Sequence, residues 1–138
     1  MIRFFIDENL QGQRFVEPLR VAGLNVTTAT DLGLRGVPDA QWIPQVALEG
    51  YVVVTGDTRV RLVPAEKLAV VRARARIVAV RVGGDKTLER LARNVINSRR
   101  VIERFDARNE APWFAVLTMP TPKDFELNRS GRLRKVEL

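Results

Sequence analysis

Two short runs decide most of what this chain can fold into. Ile2-Arg3-Phe4-Phe5-Ile6 and Tyr51-Val52-Val53-Val54-Thr55 are each followed within two residues by an aspartate, Asp7 and Asp57. Both runs are continuous and largely apolar, as expected of parallel strands covered on two faces rather than strands half in water. An α/β fold is the consequence. In open sheets of this class ligands bind just outside the carboxyl ends of the strands, where both aspartates would project. If the first and third strands are neighbours, as in a 2-1-3-4-5 winding, their backbones lie ~4.8 Å apart, and two carboxylates at their ends can share a cation.

The rest of the chain fits alternating strands and helices. Leu10, Phe15, Val16 and Leu19 recur at helical spacing, Gly23 gives a stop, and Leu24 to Thr28 reads as a second strand. Asp31 to Pro38, with two glycines and a proline, reads as a loop, and Trp42, Ile43, Val46 and Ala47 then mark a helix opened by Asp39 and ended by Gly50. After the third strand the spacing predicts a loop carrying Arg59 and Arg61, a helix beginning near Pro64, and a fourth strand over Ile77 to Val80. Leu88, Leu91, Ala92, Val95, Ile96 and Ile102 predict one long amphipathic helix from Asp85 to about Phe105, with Arg90, Arg93, Arg99, Arg100 and Arg104 on its other face. Trp113 to Leu117 reads as a fifth strand. The tail is expected to form a hairpin across Asn128-Arg129-Ser130-Gly131, or to contact a partner through Arg132, Arg134 and Lys135. A domain over 1–118 with a C-terminal extension over 119–138 is the expected organisation.

Composition narrows the chemistry. With 138 residues, 46% of them hydrophobic, the chain is long enough for one domain with a proper core. It contains no histidine and no cysteine, which removes disulfides, thiolate nucleophiles, Cys-type zinc sites and the commonest general base. Any metal must accept oxygen ligands, which favours Mg²⁺ or Mn²⁺. The first apolar run reaches an acid at Asp7, unlike a signal peptide, and no run approaches the ~20 apolar residues that span a bilayer, so a soluble cytoplasmic protein is expected. The net charge of +7 is unevenly spread: residues 1–57 carry four Arg and Lys against seven Asp and Glu, and residues 58–138 carry nineteen against nine. Clustered arginines suit a polyanion, because neutralised phosphates release counterions whatever the base sequence.

Each acid taken singly has an ordinary explanation. Asp39 can cap the helix it opens, Asp7 can cap the turn with Glu8 and Asn9, and Asp57 can be a turn residue. Together they favour function, since carboxylates gathered at one edge repel unless a cation or a proton relieves them. Gly83-Gly84-Asp85-Lys86-Thr87 lacks the spacing of a phosphate-binding P-loop and is expected to cap a helix. The strand-end acids also suit a phosphoacceptor receiver domain, but strand four leads into Arg81-Val82-Gly83, where a receiver usually has Ser or Thr.

The set Phe5-Ile6-Asp7, Asp39-Ala40-Gln41-Trp42-Ile43-Pro44 and Val54-Thr55-Gly56-Asp57-Thr58-Arg59-Val60-Arg61 resembles the PIN-like domain family, specifically the short branch grouped with VapC-type toxins of bacterial toxin–antitoxin pairs. The resemblance implies a three-layer α/β/α domain with a mainly parallel sheet of about five strands, and a ribonuclease whose acids hold Mg²⁺ or Mn²⁺. It also implies RNA as substrate, an antitoxin protein as partner and a possible homodimer. Asp7, Asp39 and Asp57 fall on the acidic positions as metal ligands and catalytic residues; Thr55, Asn9, Arg59 and Arg61 are the expected substrate contacts. Many members carry a further acid where this chain has Arg59, so a fourth ligand is expected from elsewhere, Glu8 being the candidate. The alternative is a catalytically weakened module that binds RNA or an antitoxin without cutting.

Overall fold

A computed structural model describes residues 1–84 and 86–138; Asp85, in the Gly-rich stretch and at the expected start of the long helix, lies outside the described residues. The six strands are β1 (Arg3–Ile6), β2 (Asn25–Thr28), β3 (Val52–Thr55), β4 (Arg76–Val80), β5 (Trp113–Thr118) and β6 (Arg132–Val136). The helices are α1 (Gln13–Val21), α2 (Asp39–Leu48), α3 (Pro64–Ala73), α4 (Leu88–Asn97), α5 (Arg99–Arg108) and α6 (Pro122–Glu126). One sheet contains all the strands in the order β2-β1-β3-β4-β5-β6. Every pairing is parallel except that of β6 with β5.

The period-two geometry of a strand sends alternate side chains to opposite faces, and here both faces are apolar. Phe4, Ile6, Val52, Val54, Val78, Val80 and Leu117 pack with Phe15, Val16 and Leu19 of α1, Leu91 and Val95 of α4, and Ile102 of α5. Phe5, Val53, Ile77, Ala79 and Val116 point the other way, onto Trp42, Ile43 and Val46 of α2 and Val70 of α3. The result is the expected α/β/α sandwich, and it explains why β1 and β3 read as unbroken apolar runs. The chain moves from β1 out to β2 and then returns to β3 on β1's other side, so the winding reverses between β1 and β3. In α/β sheets that reversal opens a crevice at the strands' carboxyl ends.

Two expectations are corrected. The long helix is broken: α4 ends at Asn97, α5 starts at Arg99, and Ser98 between them has φ −100° and ψ 3°. Ser98 is fully buried, and its hydroxyl accepts the Gly131 N–H at 2.8 Å. A Cβ at Gly131 would collide with the Thr118 carbonyl oxygen, so only glycine fits there. The hairpin expected across Asn128–Gly131 is replaced by a longer return, through α6, that lays β6 antiparallel on β5 from Thr118↔Arg132 to Phe114↔Val136. Arg93 anchors this return, donating to the Phe125 carbonyl at 2.9 Å and to Asn128 Oδ1 at 2.7 Å, while Arg90 and Arg93 both lie over the Phe125 ring. The cap expected from the Gly-rich stretch is supplied by Thr87, which accepts the Arg90 N–H at 3.1 Å.

Candidate metal centre

A helix that follows or precedes a parallel strand runs antiparallel to it, so α2 and α3 both begin at the carboxyl edge of the sheet. An acid in the first turn of either helix is therefore delivered to the same edge as an acid at the end of β1 or β3. Asp39 is the first residue of α2, and Glu66 is the third of α3, after Pro64 has set the helix start. Carboxylate oxygens of Asp39, Asp57 and Glu66 all lie within 4.8 Å of one another, the three side chains being half-buried. Asp7, only 7% exposed, sits close enough for the charges of Asp39 and Asp57 to act on it.

The carboxylates are held by donors rather than by cations. Thr55 ties two of them together: its hydroxyl donates to Asp7 Oδ2 at 2.7 Å and accepts the Asp57 N–H at 3.0 Å. Asp7 Oδ1 accepts the Glu8 N–H at 2.7 Å, which caps the short 3₁₀ turn Glu8–Leu10. Asp57 Oδ1 accepts the Arg59 N–H at 2.8 Å, the local turn geometry expected of it. Asp39 makes no capping bond to the backbone of its helix; instead its Oδ1 accepts the indole N–H of Trp42, one turn on, at 2.8 Å. The turn after β3 is packed tightly, since a Cβ on Gly56 would lie 2.6 Å from Val82 Cγ2.

Nothing here neutralises the acids. Among the described residues no lysine or arginine forms an ion pair with Asp7, Asp39, Asp57 or Glu66. Burial pushes the Asp7 carboxyl above the usual aspartate range, against the opposing pull of the Thr55 hydrogen bond, and the charges of Asp39 and Asp57 add to the rise. Glu66 is raised for the same reasons, burial first and then the charges of Asp39 and Asp57. Among the described residues its buried Oε2 has no hydrogen-bond donor. Two full charges at this range repel by on the order of 3 kcal/mol at an effective dielectric of ~20, a cost that a shared proton or a cation removes. The donor set, all carboxylate oxygen, fits a hard divalent ion, whose octahedral ligands in the case of Mg²⁺ lie no more than ~4.2 Å apart, close to the 4.8 Å within which this trio falls.

The other expected site residues take varied places around the trio. Glu8 stands outside it, its Oε2 accepting the Gly36 N–H at 2.6 Å. Thr55 is 1% exposed, and its hydroxyl is committed to Asp7 and Asp57. Asn9 uses its side-chain oxygen to hold the Gly56 N–H at 3.1 Å. Arg59 is exposed; Arg61 is half-buried, with its Nε shielded and unpartnered. Glu66 was absent from the sequence expectation, although a Pro-x-Glu at the start of a helix after a strand is a readable signal for an acid at this edge.

No curated protein and no solved structure matches the chain. A family model described as a PIN like domain matches residues 2–81, a span that contains β1 to β4 and all four acids of the site. Matched over more than half its length by that model, and folded as an α/β sandwich with acids gathered at its switch point, the chain belongs to the family of PIN-like domains.

Proposed function

We propose that this chain is a divalent-metal-dependent ribonuclease that hydrolyses RNA phosphodiester bonds with Mg²⁺ or Mn²⁺. The observation that carries the reading is the meeting of Asp39, Asp57 and Glu66 within 4.8 Å, with a buried Glu66 oxygen that has no donor among the described residues. Asp39, Asp57 and Glu66 would hold the ion, with Asp7 behind them as the most buried member. When bound, such an ion supplies a water nucleophile at neutral pH and stabilises charge on the phosphoryl oxygens. Thr55 fixes Asp7 relative to Asp57, so that the edges of β1 and β3 act as one platform. Arg59 and Arg61, three and five residues beyond Gly56, are suited to grip phosphate bidentately. The likeness of the motifs to VapC-type toxins supports a finer reading: the toxin of a toxin–antitoxin pair, acting in the cytoplasm, with an antitoxin protein as partner and a homodimer as its assembled form.

Cleavage of labelled total RNA by wild type, Asp57→Asn and Asp7→Asn, each with Mn²⁺, Mg²⁺ or EDTA, tests the activity. Cutting by wild type alone, abolished by EDTA, is the expected result. Cutting that survives both EDTA and Asp57→Asn sinks the assignment. Arg59, standing where many family members have an acid, favours a second reading in which the domain binds RNA or an antitoxin without cutting. That reading predicts no cleavage and no Mn²⁺-dependent rise in Tm, whereas a working site is stabilised by the ion it binds.

A further inference from the structure

The oxygens of the acid cluster are not equally free, and the way they are used points to a role for Trp42. Asp57 spends Oδ1 on the Arg59 N–H, and Asp7 spends one oxygen on the Glu8 N–H and the other on Thr55. The donors to Asp57 Oδ1 and Asp7 Oδ1 are backbone amides of their own turns, and Asp7 Oδ2 takes the hydroxyl of Thr55 at the end of β3. On Asp39 the donor to Oδ1 is an aromatic N–H one helical turn on, the Trp42 indole, at 2.8 Å. That indole is rigid. It is 4% exposed, on the first two turns of α2, and its ring meets that of Phe5 in β1 at 5.1 Å between centroids. A buried indole N–H usually finds an acceptor, and for Trp42 it is Asp39. Trp113 supplies the contrast, since its buried Nε1 has no partner among the described residues.

We infer that Trp42 sets the ion preference of the cluster by fixing the Asp39 carboxylate through a hydrogen bond to one oxygen and so favouring single-oxygen ligation; the inference rests on reading the cluster as a cation site. Large hard ions such as Ca²⁺ fill six to eight positions at ~2.3–2.6 Å and gain from carboxylates that chelate through both oxygens, whereas Mg²⁺ demands octahedral single-oxygen contacts at ~2.0–2.1 Å. With Oδ1 of Asp39 and Oδ1 of Asp57 each already accepting a hydrogen bond, two-oxygen chelation by either carboxylate is weakened, which costs a larger ion more than a small octahedral one. A donor to the far oxygen of a ligating carboxylate also fixes its orientation, and losing such a partner costs ~10–100-fold in metal affinity. Trp42 is thus a positioning residue for Asp39 and a specificity-determining one for the ion.

The test begins on the wild-type protein, where no substitution can disturb folding. In a ¹⁵N-labelled sample titrated with Mg²⁺, the Trp42 indole N–H signal is expected to move to saturation while that of Trp113 stays in place. Mn²⁺ and Ca²⁺ dissociation constants are then measured by calorimetry for wild type, Trp42→Phe and Asp39→Asn. Trp42→Phe is expected to weaken Mn²⁺ by about tenfold while Ca²⁺ binding holds or tightens, so the discrimination between them falls; a general loosening of the site weakens both ions together. An unchanged Mn²⁺-to-Ca²⁺ ratio in folded Trp42→Phe, or a stationary Trp42 signal with Mg²⁺ bound, overturns the inference while the cation site stands. Absence of binding of either ion by wild type overturns both.

Discussion

Burial sets the electrostatics of the site first, and one hydroxyl and one glutamate modify it. Thr55 holds Asp7 and Asp57 in place without neutralising either, and Glu66 adds a charge to a cluster already repelling. A raised carboxyl in the folded state means that the native protein binds a proton more tightly than the unfolded chain. Its stabilising contribution is complete below the ordinary carboxylate range and is lost as pH rises through the raised values of Asp7 and Glu66. In EDTA, the Tm of wild type is therefore expected to fall over that interval, and Asp7→Asn to show a shallower fall; identical slopes would contradict the shift. Glu66→Gln removes one repelling charge, so at neutral pH it is expected to raise the metal-free Tm and to shrink the increase caused by Mn²⁺, both readable in the same thermal melts. Asp7, Asp39 and Asp57 were legible as candidates because strand ends and helix starts can be read from apolar runs. Glu66 was overlooked because one acid in a helix opening with Pro64 looks like ordinary charge complementing a helix dipole. Its significance appears only when α2 and α3 are placed on the same face.

At the scale of elements, local pattern read the parallel strands to within a residue or two because each is a short apolar run whose neighbours merely cover it. It failed where a distant partner decides. The apolar period of residues 88–102 passes through Ser98 without a signal, and the break coincides with a buried contact in which the Ser98 hydroxyl joins Asn94 to the distant Gly131 N–H. The last strand was obscured for a related reason: as the edge of the sheet, β6 exposes Arg132, Arg134 and Lys135 and half-buries only Leu133 and Val136, so it lacks the apolar run of an interior strand. Charged edge strands also resist pairing with other chains. Gly131→Ala forces a methyl against the Thr118 carbonyl and is expected to cost ~1–3 kcal/mol, with Ser98→Ala costing a similar amount by stranding the Gly131 N–H. Chemical denaturation measures both. Mn²⁺ affinity in either folded variant should match wild type, since the contacts of both residues run to Asn94 and Thr118 and not to the acids.

For the whole molecule, the division of charge along the sequence overstates the surface available to a polyanion. Several cations of the basic half are occupied within the fold: Arg76 pairs with Asp106 at 2.7 Å, Arg129 with Asp124 at 3.0 Å, and Arg90 and Arg93 close on Phe125. The basic face of α4 is in part a clamp on the tail. Among the described residues Arg59 and Arg61 are in no ion pair, and they stand beside the acids in sequence. Replacing both by alanine is expected to weaken RNA binding and to reduce the slope of log affinity against log salt by about one for each phosphate no longer gripped; filter binding over a salt series measures it, and an unchanged slope would exclude them as phosphate ligands. The reversal of the last strand has a practical consequence. Because β6 runs against β5 while β1 runs with it, both ends of the chain leave from the amino edge of the sheet, opposite the carboxylates. A bead, a fluorophore or a neighbouring domain joined at either end starts behind the site, so a tethered molecule turns its acids outward to the solution.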